Sequence, residues 1–312
     1  MKKIIIILII LNIITILRGN DNMEYLIFDS ETGSRLTLDE LSEKLQNYDV
    51  IFFGELHDDV LIHKLEAEIL PFLYEKNNNL LISLEMFERD VQPFLDRYLM
   101  GEISEKEFLA NSRPWPNYKT DYRPIIEFAK EHNLPVLAAN IPRRYAAMLN
   151  KQGYEKLKKL PESERKYFAE KLVVLDDEYK KRFFETMKSN MGIKGELPET
   201  KKNMLQNFYA AQCIKDDTMA ESINEYLKNH SQTKVIHFNG DFHSNSHLGT
   251  AQKLALLNPS LKIGVIAPII IPDNEELKFP KNAKKEGDFL IVQHRHSADD
   301  EEKTKMPQMF KK

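Results

Sequence analysis

Val50-Ile51-Phe52-Phe53-Gly54-Glu55-Leu56-His57-Asp58-Asp59 decides how the whole chain is read. Four large apolar residues run without a polar break, then stop at a glycine followed by an acid, an imidazole and two more acids. An unbroken apolar run of that length is what a strand buried on both faces requires. The polar cluster after it is what the carboxyl end of such a strand offers to a ligand. Asp59 then precedes Val60, Leu61, Leu65 and Ile69, apolar residues at helical spacing. Asp58-Asp59 is therefore expected to cap a helix rather than to bind a ligand.

The same unit recurs along the chain. Short apolar runs at 50–53, 80–84, 135–139, 235–238, 262–267 and 289–293 are each bounded by polar or turn residues. Helical patterns with recognisable ends lie between most of them. Ser104-Glu105-Lys106-Glu107 has the form of a capping box, Pro124 suits the first turn of a helix over 125–132, and Gly101 and Gly153 suit helix ends. Strands alternating with helices predict an α/β fold: a mostly parallel sheet with helices on both faces. Residues 143–230 break the rhythm. They are charged, helical in pattern and without a convincing strand, so they are read as a helical insertion, a lid or cap, within one α/β domain spanning 20–296. Residues 297–312 are polar and read as a disordered tail.

The first nineteen residues are of another kind. Lys2-Lys3 precedes a fourteen-residue run from Ile4 to Leu17 in which only Asn12 and Thr15 are polar. That is short for a bilayer span of about 20 residues and has the form of a secretory signal. The poor cleavage site leaves an uncleaved N-terminal anchor as the alternative. Either way the chain is expected to be exported, to the periplasm or a membrane-associated cell envelope, touching membrane only through this segment. The formal net charge of −4 and the absence of a basic stripe exclude nucleic acid as a partner. Cys213 is the only cysteine, so no intramolecular disulfide can form and no thiolate cluster can hold a metal. Its helical context reads as a small buried hydrophobe.

Four strands place chemistry just past their carboxyl ends. The run at 50–53 leads into Glu55 and His57, that at 80–84 into Glu85, that at 135–139 into Asn140, Arg143 and Arg144, and that at 235–238 into Asp241 and His243. Singly, each would be an ordinary solvated turn residue. Together, at the ligand-binding edge of a parallel sheet, they make one site. Glu55/His57 and Asp241/His243 share an i, i+2 spacing, which puts both groups on one face of extended chain. Two imidazoles with carboxylates suit a divalent metal such as Mn or Zn, with Glu55, His57, Asp241 and His243 as ligands. The same set can activate water without a metal, His57 acting as base and Glu55 or Asp241 orienting it. His63 lies past the helix cap and is expected to face this site only by accident. His243 and His247 are i, i+4, but Ser244-Asn245-Ser246 and Gly249 argue against a helix joining them.

A second region, 113–124, carries the only Trp, flanked by Pro114 and Pro116, with Tyr118 and Tyr122 close by. It is either an apolar wall over a planar ligand or an aromatic loop packed on the sheet edge.

Gly54-Glu55-Leu56-His57-Asp58 followed by Ser83-Leu84-Glu85-Met86-Phe87 resembles the ChaN-like family of the haem-binding uptake and Tiki superfamily. The likeness continues through Trp115, Tyr118, Tyr122-Arg123-Pro124, Asn140-Ile141-Pro142-Arg143, Asp217-Thr218-Met219-Ala220 and Gly240-Asp241-Phe242-His243. It runs in order from about residue 45 to about 270. The resemblance implies a parallel sheet with a helical excursion and an envelope protein that binds haem for iron uptake. Tyr118 or Tyr122 would ligate the iron, Arg143, Arg144 or His57 would pair with propionates, and Asn140 would line the site. A homodimer sharing an exposed haem face is compatible with that reading. Tiki proteases and erythromycin-esterase-like relatives imply the alternative, a metal-assisted hydrolase of ester or peptide bonds. There His57, Glu55, Glu85, Asp241 and His243 would be catalytic. No lipobox cysteine follows the apolar run, so lipid anchoring does not carry over.

Overall fold

In the computed structural model, which describes residues 24–295, all six apolar runs are strands of one sheet. The strands are β1 (Tyr25–Asp29), β2 (Arg35–Leu36), β3 (Val50–Glu55), β4 (Leu80–Glu88), β5 (Val136–Asn140), β6 (Lys234–Gly240), β7 (Ile263–Ile270) and β8 (Phe289–Gln293). Their order is β2-β1-β8-β7-β3-β6-β4-β5. Neighbours from β8 to β5 are parallel, and β1 is antiparallel to both β2 and β8. The fold is the expected α/β class. The edge hairpin β1–β2 had no counterpart among the expected strands. Its turn is built by the Asp29 carboxylate, which accepts from Glu31 N and Thr32 N at 2.9 Å, with Gly33 at φ +70°.

Alternation along the central strands sorts the core onto two faces. Ile51, Phe53, Ile82, Leu84, Ile236 and Phe238 pack against α1 (Leu38–Leu45), α2 (Val60–Lys76), α3 (Gln92–Leu99), α4 (Glu105–Ser112) and α5 (Arg123–Glu131). Val50, Phe52, Leu81, Val235 and Val265 point the other way. Each buried Phe or Ile of this sandwich contributes roughly 1.5–3 kcal/mol. Asp59 does cap α2, accepting from Leu61 N and Ile62 N at 3.1 and 3.2 Å. Ser104 caps α4, and Pro124 lies in the first turn of α5.

Residues 143–229 hold α6 (Arg143–Gln152), α7 (Tyr154–Lys158), α8 (Glu162–Arg165), α9 (Glu178–Asn190) and α10 (Glu199–Asn229) and no strand. The first part of α10 packs Tyr209 and Cys213 against Tyr179 and Phe183 of α9. Its last part lays Ala220, Ile223 and Leu227 on the sheet with Ala251 and Leu254 of α11 (Gly249–Leu257). Cys213 is wholly buried there, as expected. After this excursion the chain returns as β6 between β3 and β4. That insertion carries residues 241–247 into the gap between the other two polar strand ends. No helix of the described residues is long and apolar enough to cross a membrane. The apolar run before Arg18 and the tail from 297 fall outside the described residues.

Gly249 starts α11 at φ +55°, and a Cβ there would stand 2.6 Å from the His243 carbonyl oxygen. A backbone atom cannot swing away as a side chain can. Gly249→Ala should therefore lower stability by more than about 1 kcal/mol, read as the loss of denaturation midpoint in urea. An unchanged midpoint would show that this turn relaxes freely.

Candidate functional site

Two glycines allow the strand ends to close on each other. In the β3–β6 register Gly54 lies opposite Asn239 and Glu55 opposite Gly240. A Cβ on Gly54 would come within 3.1 Å of the Asp241 Cα, and one on Gly240 within 2.7 and 2.8 Å of the His57 Cε1 and Nε2. The missing side chains thus make room for the turn after β6 and for the His57 ring.

Glu55 continues the Phe53 side of β3 and points beneath α2. Its Oε1 accepts from the Tyr122 hydroxyl at 2.8 Å and bonds His57 Nδ1 at 2.5 Å. Burial alone would raise its pKa, but the His57 hydrogen bond and the charges of His57 and His63 hold it below the usual carboxylate value. Burial opposes the charging of His57 in turn, and Glu55 raises its pKa nonetheless. The His57 side chain is 43% exposed, and its Nε2 makes no protein hydrogen bond among the described residues. Trp115 packs edge-on against this ring with centroids 4.9 Å apart.

Glu85 occupies the opposite side of the sheet edge. Its Oε2 accepts from Gly240 N at 2.8 Å, and its Oε1 meets His243 Nε2 at 3.2 Å. The other ring nitrogen of His243 bonds Asp216 Oδ1 of α10 at 2.6 Å. Asp216 is fixed by the hydroxyls of Thr250 and Tyr179, both at 2.8 Å. Burial works against the His243 charge, yet Glu85 and Asp216 carry its pKa up to about 10. Glu85 would be raised by burial but is held far below its ordinary range by His243. This is a buried carboxylate–imidazolium–carboxylate row. Asp241, pushed up by burial, lines a cleft with Tyr179, Arg182, Phe242 and Asn245. His247 is separated from His243 by Ser246 at φ +60°, so no helix joins them.

Asn140 holds the end of β4 by donating to the Glu85 carbonyl at 2.9 Å. Arg143 and Arg144 sit on the rim with Arg113. Arg113 bonds Glu88 at 2.7 Å, Arg143 lies 3.5 Å from Glu88, and Arg144 bonds Asp90 at 2.5 Å. Of the two tyrosines only Tyr122 joins the site. Tyr118 packs among Phe87 and Phe108, its hydroxyl buried without a hydrogen-bond partner among the described residues. The stretch 113–122 includes one π-helical turn at Tyr118–Tyr122, which packs against α2 and α5.

The structure therefore gathers Glu55 with His57 and Glu85 with His243, as two pairs on opposite sides of Gly240. The four expected metal ligands do not form one donor cluster among the described residues. The cluster that does form is Glu55, His63 and Glu66, with one ligand atom from each within 4.8 Å of the others. His63 does face Glu55: it is buried, with Nδ1 3.0 Å from Glu66 Oε2 and 3.5 Å from Glu55 Oε2. Glu66 and Asp216 carried no expectation. Their signal in the sequence is an acid set among apolar positions of a helix face: Glu66 between Leu65 and Ile69, Asp216 after Cys213 and Ile214.

A family model described as haem-binding uptake, Tiki superfamily, ChaN matches residues 41–254, and the chain belongs to that family. Among solved structures the chain is similar to ChaN of Campylobacter jejuni with cofacially bound haem. The two are 20% identical, with a TM-score of 0.63 over 87% of this chain and 97% of that one. It is also similar to a mutant of the erythromycin esterase EreC in its open conformation. There the identity is 13% and the TM-score 0.47, over 88% of this chain and 83% of that one. The first likeness shows the fold. No curated protein matches the chain in sequence.

Because folding raises the His243 pKa from 6.5 to about 10, its stabilising effect is complete below the unfolded value and is lost as the pH rises through the folded one. The urea midpoint of chelator-treated protein should therefore fall between pH 6.5 and pH 10. Asp216→Asn should make that fall shallower. Parallel slopes for the two proteins would remove His243 as the cause.

Proposed function

From membership of this family we infer that the chain binds haem at the carboxyl edge of its sheet, as an exported bacterial envelope protein serving iron uptake. The observation that carries this is the extent of the family match. Residues 41–254 include every strand end that contributes to the site. Side chains of the rim fit such a ligand. His57 offers a half-exposed ring whose Nδ1 is already engaged by Glu55, leaving Nε2 for iron, as in carboxylate–histidine–metal arrangements. Trp115 supplies apolar surface beside it. Arg143 and Arg144 are exposed guanidinium groups suited to propionates. Tyr122 as the ligand would have to give up its bond to Glu55. Burial, with Glu55 and Glu66 beside it, already raises its pKa well above the ordinary value. His57 is accordingly the first candidate, ahead of Tyr122 and Tyr118.

Titration of the purified protein with hemin, followed by absorbance, should show a saturable Soret shift. His57→Ala should weaken binding by about tenfold or more, one ligand bond being worth at least ~1.4 kcal/mol. A shift lost in Tyr122→Phe but kept in His57→Ala would move the iron to the tyrosine. No shift at all would reject haem binding. Sedimentation of the loaded protein should show a dimer if two copies share the exposed haem face.

One observation favours a second reading, hydrolysis of ester or peptide bonds. His57 is oriented by a carboxylate at 2.5 Å with its other nitrogen unbonded, which is how a general base is held. Glu85 and Asp241 would position the water, and the His243 imidazolium would stabilise the leaving group. The helices of 143–229 would gate the substrate. On an ester and peptide panel with Mn²⁺, Co²⁺ or Zn²⁺, any turnover should drop at least ~100-fold in His57→Ala. Turnover surviving that change would exclude this mechanism.

A further inference from the structure

We infer that Glu55, His63 and Glu66 form a closed binding site for one borderline divalent cation of the Zn²⁺, Co²⁺ or Mn²⁺ class, beneath His57 and separate from the haem face. The inference goes beyond the haem reading and does not depend on it.

Four observations converge. First, Glu55 Oε2 and Glu66 Oε1 are buried, in residues 1% and 0% exposed, and no donor among the described residues reaches them. There the two acids meet only each other, which with burial pushes Glu66 well above the ordinary carboxylate range. A divalent cation would take the place of the proton between them. An orphaned carboxylate oxygen in a dry interior is costly unless something positive meets it. Second, the distances suit a first-row ion. His63 Nδ1 lies 3.5 Å from Glu55 Oε2 and 3.0 Å from Glu66 Oε2. Ligand atoms at about 2.0–2.1 Å from a tetrahedral ion stand about 3.4 Å apart.

Third, two of the three donors are already held from behind. His63 Nε2 reaches the His57 carbonyl at 3.2 Å and the Asp121 carboxylate at 3.6 Å. That is the outer-sphere contact which fixes a ligating imidazole, with Nδ1 turned to the two carboxylates and bonded to Glu66 Oε2 at 3.0 Å until an ion takes its lone pair. Glu55 spends only Oε1 on Tyr122 and His57, so Oε2 is the atom left to point inward. Fourth, the charges cancel. Two carboxylates and a neutral imidazole leave a divalent ion with no net charge to bury. One nitrogen and two oxygens suit a borderline ion better than Mg²⁺ or Ca²⁺, which take oxygen alone.

An ion here would lock the Glu55 carboxylate and, through Oε1, set the tilt of His57. Glu55, His63 and Glu66 would thus be positioning residues for whatever His57 does.

The test uses the full chain, stripped with a chelator, dialysed and titrated with Co²⁺, followed by visible absorbance, metal analysis and melting temperature. One equivalent should bind, with the intense d–d bands of a low-coordinate site and a rise in melting temperature. Glu66→Gln keeps the shape and a partner for His63, so it should fold. Its cobalt affinity should fall by at least about 10–100-fold, the range that outer-sphere changes alone reach, and the melting temperature should no longer rise. His63→Gln should behave alike. His57→Ala should keep the equivalent. Binding of less than a tenth of an equivalent would overturn the site, as would equal binding by Glu66→Gln and the parent. Loss in His57→Ala with retention in Glu66→Gln would also overturn it, placing the ion with Glu55, His57, Asp241 and His243. Hemin titration of the same samples separates the two readings. Cobalt without hemin binding upholds this site alone, and hemin without cobalt upholds only the haem face.

Discussion

Accommodating carboxyl groups inside the protein is the constraint on which the rest of this architecture depends. Imidazoles hold Glu55 and Glu85 below the ordinary carboxylate range, while burial beside Glu55 pushes Glu66 well above it. Glu55, Glu66, Glu85 and Asp216 are all buried, and an unpaired charge in such surroundings costs several kcal/mol. The chain answers with imidazoles rather than lysines or arginines. His57 and His63 face Glu55, His63 also faces Glu66, and His243 stands between Glu85 and Asp216. Arg113, Arg143 and Arg144 stay on the rim, where they pair with Glu88 and Asp90. An imidazole can lose its proton to a metal or a substrate, whereas a guanidinium cannot. A site neutralised by histidines therefore retains chemistry that one neutralised by arginines would have given up.

This compensation works only because of the strand order. β3 and β4 are successive in sequence but not adjacent in the sheet, and β6 separates them. Glu55 belongs to the face covered by α2, and Glu85 to the face covered by α10. The two acids would otherwise repel across a gap. Gly240 fills that gap with backbone alone, giving its N–H to Glu85 and its bare Cα to the ring of His57. The long helical excursion before β6 has a consequence at the site as well, because α10 brings Asp216 to His243 on its way back to the sheet.

The architecture was legible wherever a physical pattern repeated. Six apolar runs were six strands, since burial on both faces leaves no other composition for them. The polar strand ends were also legible, because the direction of a parallel sheet fixes which edge they share. The pairing of His57 with Glu55 followed from their spacing. The β1–β2 hairpin was not foreseen: it is a short edge element set by an Asp29 turn, with no long run to mark it. Nor was the grouping of His63 with Glu66, because an i, i+3 pair on a helix reads as solvated until the strand beneath it is known. Asp216 was hidden for a related reason. Its partner lies 27 positions away, and no local period links a helix residue to the turn after the next strand.

The asymmetry between the two pairs decides which imidazole can act. His243 has both nitrogens engaged by carboxylates and is buried, so it serves best as a fixed positive charge. His57 has one nitrogen engaged and a ring 43% exposed, so it is the member of the set able to meet something from outside. Haem ligation and general-base catalysis both call on that same free nitrogen, and both need the ring held still. The tilt of the ring is set by Glu55, and Glu55 is in turn set by Tyr122 on one oxygen and by the His63–Glu66 group beside the other. The chemistry of the exposed imidazole is thus decided two residues deep, in a cluster that no ligand on the surface touches.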